Sequence, residues 1–210
     1  MQREVYIAHR SEMRKRDKKL RQKKNAERHA AMTPEEQDAE ARQIQVVRHE
    51  YAAARKTFLS TRAARVLEYP PVRVVIDLGF DALMFPQEAR SLASQIAAAH
   101  GSNMRASAPC TLLVTGSAPE TQAGAALAQF DTNNWQRRDP YGANVTASPL
   151  EEIVDISTVV YLTAESETDL TTLAPPPVTY VIGGLVDRNR HKNASAGRAA
   201  ALGVRTARLP

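Results

Sequence analysis

One stretch of the chain gathers side chains that could do chemistry: Gly183-Gly184-Leu185-Val186-Asp187-Arg188-Asn189-Arg190-His191-Lys192. A single carboxylate, Asp187, is followed by four cationic or ionisable side chains and an amide. Paired glycines let backbone approach a ligand closely. The plain reading of such a stretch is an exposed charged turn with a capping aspartate. The polar density favours a second reading, a site for an electron-rich substrate. There the carboxylate accepts a proton, and the cations steady developing negative charge or bind phosphate.

Other chemistries lack their residues. Gly183-Gly184 is not a Gly-x-Gly-x-x-Gly turn, and there is no phosphate-binding Gly-x-x-x-x-Gly-Lys-Ser/Thr loop. A Gly-x-Ser-x-Gly elbow is absent too. The single cysteine, Cys110, excludes an intramolecular disulfide and a cysteine-based zinc site. His9, His29, His49, His100 and His191 are scattered, so no metal is expected. No apolar run reaches the roughly 18 residues of a membrane span. With no apolar signal-peptide core either, the expectation is an intracellular, reducing compartment and no membrane partner.

The elements that must carry Asp187 follow from the pattern. Val72-Arg73-Val74-Val75-Ile76 is β-branched and nearly continuous, as a strand buried on both faces would be. Further strands are predicted at 111–114, 158–162, 178–182 and 204–207. Helices are predicted at 86–100, 120–130, 167–173 and 195–202, with a long polar loop over 131–149. Alternating strands and helices imply an α/β fold, a parallel sheet with helices on both faces. Ligands then sit at the C-terminal strand ends, where Asp77, Thr115, Thr163 and Gly183-Gly184 fall.

The N-terminal part differs in kind. Residues 10–28 hold ten Lys/Arg against Glu12, Asp17 and Glu27, a local charge of +7 in a chain of net +5. Such a run cannot bury a core face, so it is a solvated helix or a disordered arm. A solubilising or import tail is one use of it, and a phosphate-tracking arm is the better one. Thr33-Pro34-Glu35-Glu36 reads as a helix start. A helix then runs to about Leu67, and Tyr69-Pro70-Pro71 stops it. The expected division is a basic helical arm, 1–70, and an α/β domain, 71–210.

The segment from Tyr180 to Lys192 resembles the signature of the tRNA (guanine-9 N1)-methyltransferase family, a SPOUT-class group that uses S-adenosylmethionine. Val75–Met84, Ser91–Ile96, Val160–Glu167 and Thr206–Pro210 agree with its other motifs, in order. The resemblance spans about residues 72–210, with a lysine-rich helical arm in the expected place. It implies a parallel sheet threaded into a trefoil knot, and a cofactor held in the knot loops. Leu162 and Thr163, then Gly184, Arg188, Asn189, Arg190, His191 and Lys192, then Leu209 are implied to line that cofactor. Asp187 is implied to be the general base. The resemblance also implies activity as a monomer, the typical state of family members. Those members continue past the Leu-Pro step into a loop and long helix that complete the knot. The resemblance therefore implies an incomplete knot here, with an apolar sheet face left uncovered.

The implied reaction is displacement of a sulfonium methyl by a purine N1 at position 9 of tRNA, with guanine the expected base. Guanine N1 is protonated at neutral pH and needs a base, which adenine N1 does not. Flipping the base out of its stack costs a few kcal/mol. The arm, Arg137 and Arg138 are candidate phosphate contacts, and Gln95 a candidate base contact. The alternative is an inactive relative that binds tRNA only. The basic run suits residence in the nucleus, the cytoplasm or both.

Overall fold

The computed structural model describes residues 2–68, 71–135, 143–188 and 190–210. The chain falls into two compact units, Met1–Ser60 and Thr61–Pro210. In the first, helix α1 spans Gln2–Ala31, and α2 begins at Pro34 and runs to Glu68. Lys, Arg, Glu, Gln and Ala are good helix formers, which is why the basic run is helical without burying a core face. The α2 start is a capping box. Thr33 donates its N–H to Glu36 Oε2 at 2.8 Å, and Glu36 returns its N–H to Thr33 Oγ1 at 3.3 Å. The Gln37 side chain donates to the carbonyls of His29 and Met32, and Arg28 pairs with Glu40 at 2.5 Å.

The second unit is built on strands β1 (Arg73–Asp77), β2 (Thr111–Thr115), β3 (Asn144–Val145), β4 (Val159–Leu162), β5 (Thr179–Gly183) and β6 (Arg205–Ala207). They form one parallel sheet in the order β3-β2-β1-β5-β4-β6. Helices α3 (Pro86–Arg105), α4 (Gln122–Leu127), α5 (Leu150–Ile153) and α6 (Ala194–Leu202) accompany it. Side chains alternate across the strands, so each face has its own core. On one, Leu112 and Val114 pack with Ala89, Leu92 and Ile96 of α3 and Leu127 of α4. On the other, Val75, Tyr161 and Val181 pack with Leu150 of α5 and Ala199 of α6.

Two sequence expectations are corrected. Residues 167–173 are not a helix. Leu170 donates its N–H to the Arg208 carbonyl and Arg208 donates to the Thr168 carbonyl, both at 2.7 Å, so this backbone bonds to the chain beyond β6 and not to itself. Nor is 131–149 a uniform polar loop. It contains β3, and Trp135 is buried with its ring stacked 4.2 Å from that of His100. A lone aromatic amid polar neighbours has no periodicity to reveal its burial.

Candidate functional site

Strand β1 has β2 on one side and β5 on the other, so the strand order reverses at the β1–β5 pair. A crevice opens at such a point because the connections leave in opposite directions. Thr115, Asp77 and Gly183 stand level at the C-terminal ends of β2, β1 and β5. Gly184 follows, and its N–H donates to the Asp77 carbonyl at 2.7 Å. A Cβ on Gly184 would lie 2.7 Å from Leu78 Cδ2 and 2.9 Å from the Asp77 carbonyl oxygen. Only glycine lets the chain leave β5 this close to β1.

Asp187 lies three residues beyond Gly184 and is buried. Its Oδ2 accepts the His191 N–H at 2.7 Å, which fixes the carboxylate against its own turn. Arg188 adopts a left-handed backbone, φ 52°, a conformation that costs a non-glycine residue about 1–2 kcal/mol. Arg190 donates from Nε to the Asp187 carbonyl at 3.1 Å. Its Nη2 donates to Glu88 Oε2 at 2.6 Å and to the Leu83 carbonyl at 3.2 Å. The guanidinium carbon sits 4.1 Å from the Phe85 ring centroid. His191 is half-buried and Lys192 exposed; Asn189, Arg137 and Arg138 lie outside the described residues.

The β4 end supplies Leu162 and Thr163. The Thr163 N–H donates to the Ala207 carbonyl at 2.9 Å, joining the ends of β4 and β6. Its hydroxyl donates to Glu165. That hydrogen bond, with the backbone amides of Glu165 and Asn193, holds the Glu165 carboxyl below its ordinary pKa. Leu162 and Ile182 are partners in the sheet register, and Ile182 is 42% exposed. Leu209, past β6, is also exposed. The predicted lining residues Leu162, Thr163 and Gly184 thus meet at neighbouring strand ends. Gln95 is exposed on α3 and donates to Ser91 Oγ at 3.3 Å.

Sequence reasoning missed a buried ionic group below the site. Asp77 is 1% exposed. Its Oδ2 accepts the Tyr161 O–H at 3.0 Å and Arg198 Nε–H at 3.1 Å, and its Oδ1 accepts the Gly79 N–H at 3.0 Å. Arg198 also reaches Glu151 at 2.8 Å. Burial, then the neighbouring carboxylate, pushes the Tyr161 phenol far above its ordinary pKa. Burial disfavours charge on Arg198, but Asp77 and Glu151 outweigh it, and its pKa is raised. An aspartate ending a buried strand was the available signal. Glu88 was also missed, although it stands at capping-box spacing from Phe85, whose N–H it accepts at 2.8 Å.

The sequence profile described as tRNA (guanine(9)-N(1))-methyltransferase TRM10/TRM10A matches residues 1–210. The chain belongs to this family. Among curated relatives, the tRNA (guanine(9)-N1)-methyltransferase of Schizosaccharomyces pombe is 37% identical over 142 residues, covering 66% of this chain and 45% of that protein. The Candida glabrata enzyme of the same name is 36% identical over 144 residues, covering 66% and 47%. The chain therefore spans about half the length of the curated relatives it matches. A crystal structure of full-length spTrm10 in complex with SAH superposes with a TM-score of 0.59 at 32% identity, covering 68% of this chain and 78% of that one. The SPOUT-type parallel α/β fold expected from the sequence is the fold of this family member.

Proposed function

We propose that this chain carries the S-adenosylmethionine-dependent methylation of N1 of guanine at position 9 of tRNA. One observation carries the reading. In a chain of this family, Gly184 and Asp187 follow the end of β5 where the sheet order reverses, beside the Leu162–Thr163 end of β4. The residues there suit the cofactor. Apolar Leu162 and exposed Ile182 stand beside a fringe of backbone at Thr163 and Gly184. That combination suits the uncharged adenosyl group. Leu162, Thr163, Gly184, Leu209 and, from the run after Asp187, Arg188, Asn189, His191 and Lys192 are assigned to line it, while the Arg190 guanidinium is taken up by Glu88 and the Leu83 carbonyl. When bound, the cofactor supplies an electrophilic sulfonium methyl.

Asp187 is assigned to accept the guanine N1 proton as N1 attacks. His191 donates its backbone N–H to one carboxylate oxygen and so orients the group before the substrate arrives. The neighbouring cations are assigned to steady the purine anion and hold phosphates. The basic arm is assigned to tRNA phosphates, which supply affinity without reading sequence. A monomer resident in nucleus or cytoplasm completes the proposal. No helix among the described residues is long and apolar enough to cross a membrane.

The test is methyl transfer from labelled S-adenosylmethionine to tRNA transcripts with guanine or adenine at position 9, with the product nucleoside identified by mass spectrometry. N1-methylguanosine at position 9 is expected. Intact tRNA binding without methylation would overturn the reading in favour of a binding protein.

A further inference from the structure

We propose that Arg190 is a positioning residue: its guanidinium fastens the turn that carries Asp187 to the N-terminal turn of α3, and so sets where the Asp187 carboxylate stands. The inference rests on the reading of Asp187 as the proton acceptor, but its structural half is independent of that reading. Three observations meet in one side chain. Arg190 Nε holds the Asp187 carbonyl at 3.1 Å, within the turn. Nη2 holds Glu88 Oε2 at 2.6 Å and the Leu83 carbonyl at 3.2 Å, both outside it. The face of the guanidinium lies on Phe85, 4.1 Å from the ring centroid.

A planar fork with fixed donors can make these contacts together; a lysine ammonium, a point charge, cannot. Glu88 is itself immobilised, because the same Oε2 accepts the Phe85 N–H at 2.8 Å and belongs to the cap of α3. Its side chain is only 17% exposed, so the pair is better shielded than a surface ion pair. The tethered turn also needs a tether. Arg188 has φ 52°, and strained backbone persists only where its surroundings over-determine it. On the inner side of the turn the His191 N–H to Asp187 Oδ2 hydrogen bond, at 2.7 Å, closes the same loop. The Arg190 guanidinium is thus engaged with α3 and acts on the reaction through Asp187, and not as a ligand of the cofactor.

The test uses Arg190→Lys and Glu88→Gln in the full chain, with two readouts. The first is hydrogen exchange of the His191 amide. Both variants should expose it about tenfold or more, as loss of a charge-assisted hydrogen bond requires, with β5 protection unchanged. Unchanged protection at His191 overturns the clamp whether or not the chain methylates tRNA. The second is single-turnover methylation of the guanine-9 transcript. Each variant should slow it by up to about 10²-fold, as misplacement of a reacting group by about 1 Å does, with dissociation constants for S-adenosylhomocysteine and tRNA unchanged. Neither should slow an Asp187→Asn background further, because residues acting as a unit are not additive. Weaker S-adenosylhomocysteine binding in Arg190→Lys would make Arg190 a cofactor ligand and sink the proposal. An inactive wild-type chain whose His191 amide still loosens in both variants would support the clamp and refute the methyltransferase reading.

Discussion

Gly184 and Asp77 touch backbone to backbone across the reversal point of the sheet: the Gly184 N–H donates to the Asp77 carbonyl at 2.7 Å, and no Cβ fits between them. The obstacles to a Cβ are a carbonyl oxygen and a packed leucine methyl, and the carbonyl belongs to a strand with pairs on both sides. Gly184→Ala should therefore destabilise by about 1–3 kcal/mol, the usual cost of overpacking. S-adenosylhomocysteine binding should weaken as the loop is displaced. Thermal unfolding and isothermal titration would check both; an unchanged melting temperature would mean that the strand ends yield more easily than their pairing implies.

Asp187→Asn keeps the size of the side chain and its ability to accept the His191 N–H, but cannot take a proton at neutral pH. Methylation of a guanine-9 transcript should fall by about 10²–10⁴-fold, the range of general-base catalysis. Methylation of an adenine-9 transcript should fall much less, because adenine N1 needs no deprotonation. The comparison of single-turnover rates on the two transcripts isolates the proton from the positioning. Equal losses on both would remove Asp187 from the role of base.

Asp77, Arg198 and Glu151 form a chain of charge that runs from core to surface. Side-chain exposure rises along it, from 1% at Asp77 to 24% at Arg198 and 41% at Glu151. The two ion pairs should therefore differ sharply in worth. Arg198→Met leaves a buried carboxylate without its cation and should cost about 3–5 kcal/mol. Glu151→Gln removes a partner that water screens and should cost under about 1 kcal/mol. Urea unfolding of the two variants gives the ranking. Similar losses would mean that Glu151 works as part of a single buried network.

The arm should act through salt. Converting Lys15, Lys18, Lys19 and Lys23 to glutamine removes cations that carry no core packing. Every lysine–phosphate pair removed should flatten the slope of log affinity against log salt by about 0.7–0.9. The methylation rate at saturating tRNA should not change. Fluorescence anisotropy of labelled tRNA across a salt series measures the slope. An unaltered slope would reassign the arm to another task.

Much of this organisation was legible in the sequence because it depends on local pattern. β-branched runs marked β1, β2, β4, β5 and β6, and Thr33 with Glu36 marked the start of α2. β3 was invisible, since two residues, Asn144 and Val145, give no periodicity. The helix expected at 167–173 failed because its backbone donors and acceptors are claimed by Arg208, a residue far along the chain. The same limit governed the site. The local cluster around Asp187 could be read directly. The partners that hold it and its floor, Glu88 for Arg190 and Tyr161 and Arg198 for Asp77, are tens of residues away. Only the fold brings them together.

Tyr161 offers a test of that floor through pH. Its hydroxyl donates to Asp77 Oδ2 at 3.0 Å, and its pKa is raised by burial and by that carboxylate. At neutral pH, Tyr161→Phe should cost about 1.5–3 kcal/mol, the worth of a hydrogen bond to a charged group. Alkali erodes this advantage. Above pH ~10 an unfolded tyrosine releases its proton while folded Tyr161 keeps it. The native state then binds more protons than the unfolded state, so stability falls with rising pH, by about 1.4 kcal/mol per pH unit for one such group. The Phe variant lacks this contribution. Its deficit against wild type should be constant below pH ~9 and shrink as pH rises past about 10. Urea unfolding at pH 7, 9 and 10.5 follows the gap directly. A gap that stays constant across the series would mean that Tyr161 reaches solvent and ionises in the folded protein, and that the Asp77 pocket is open.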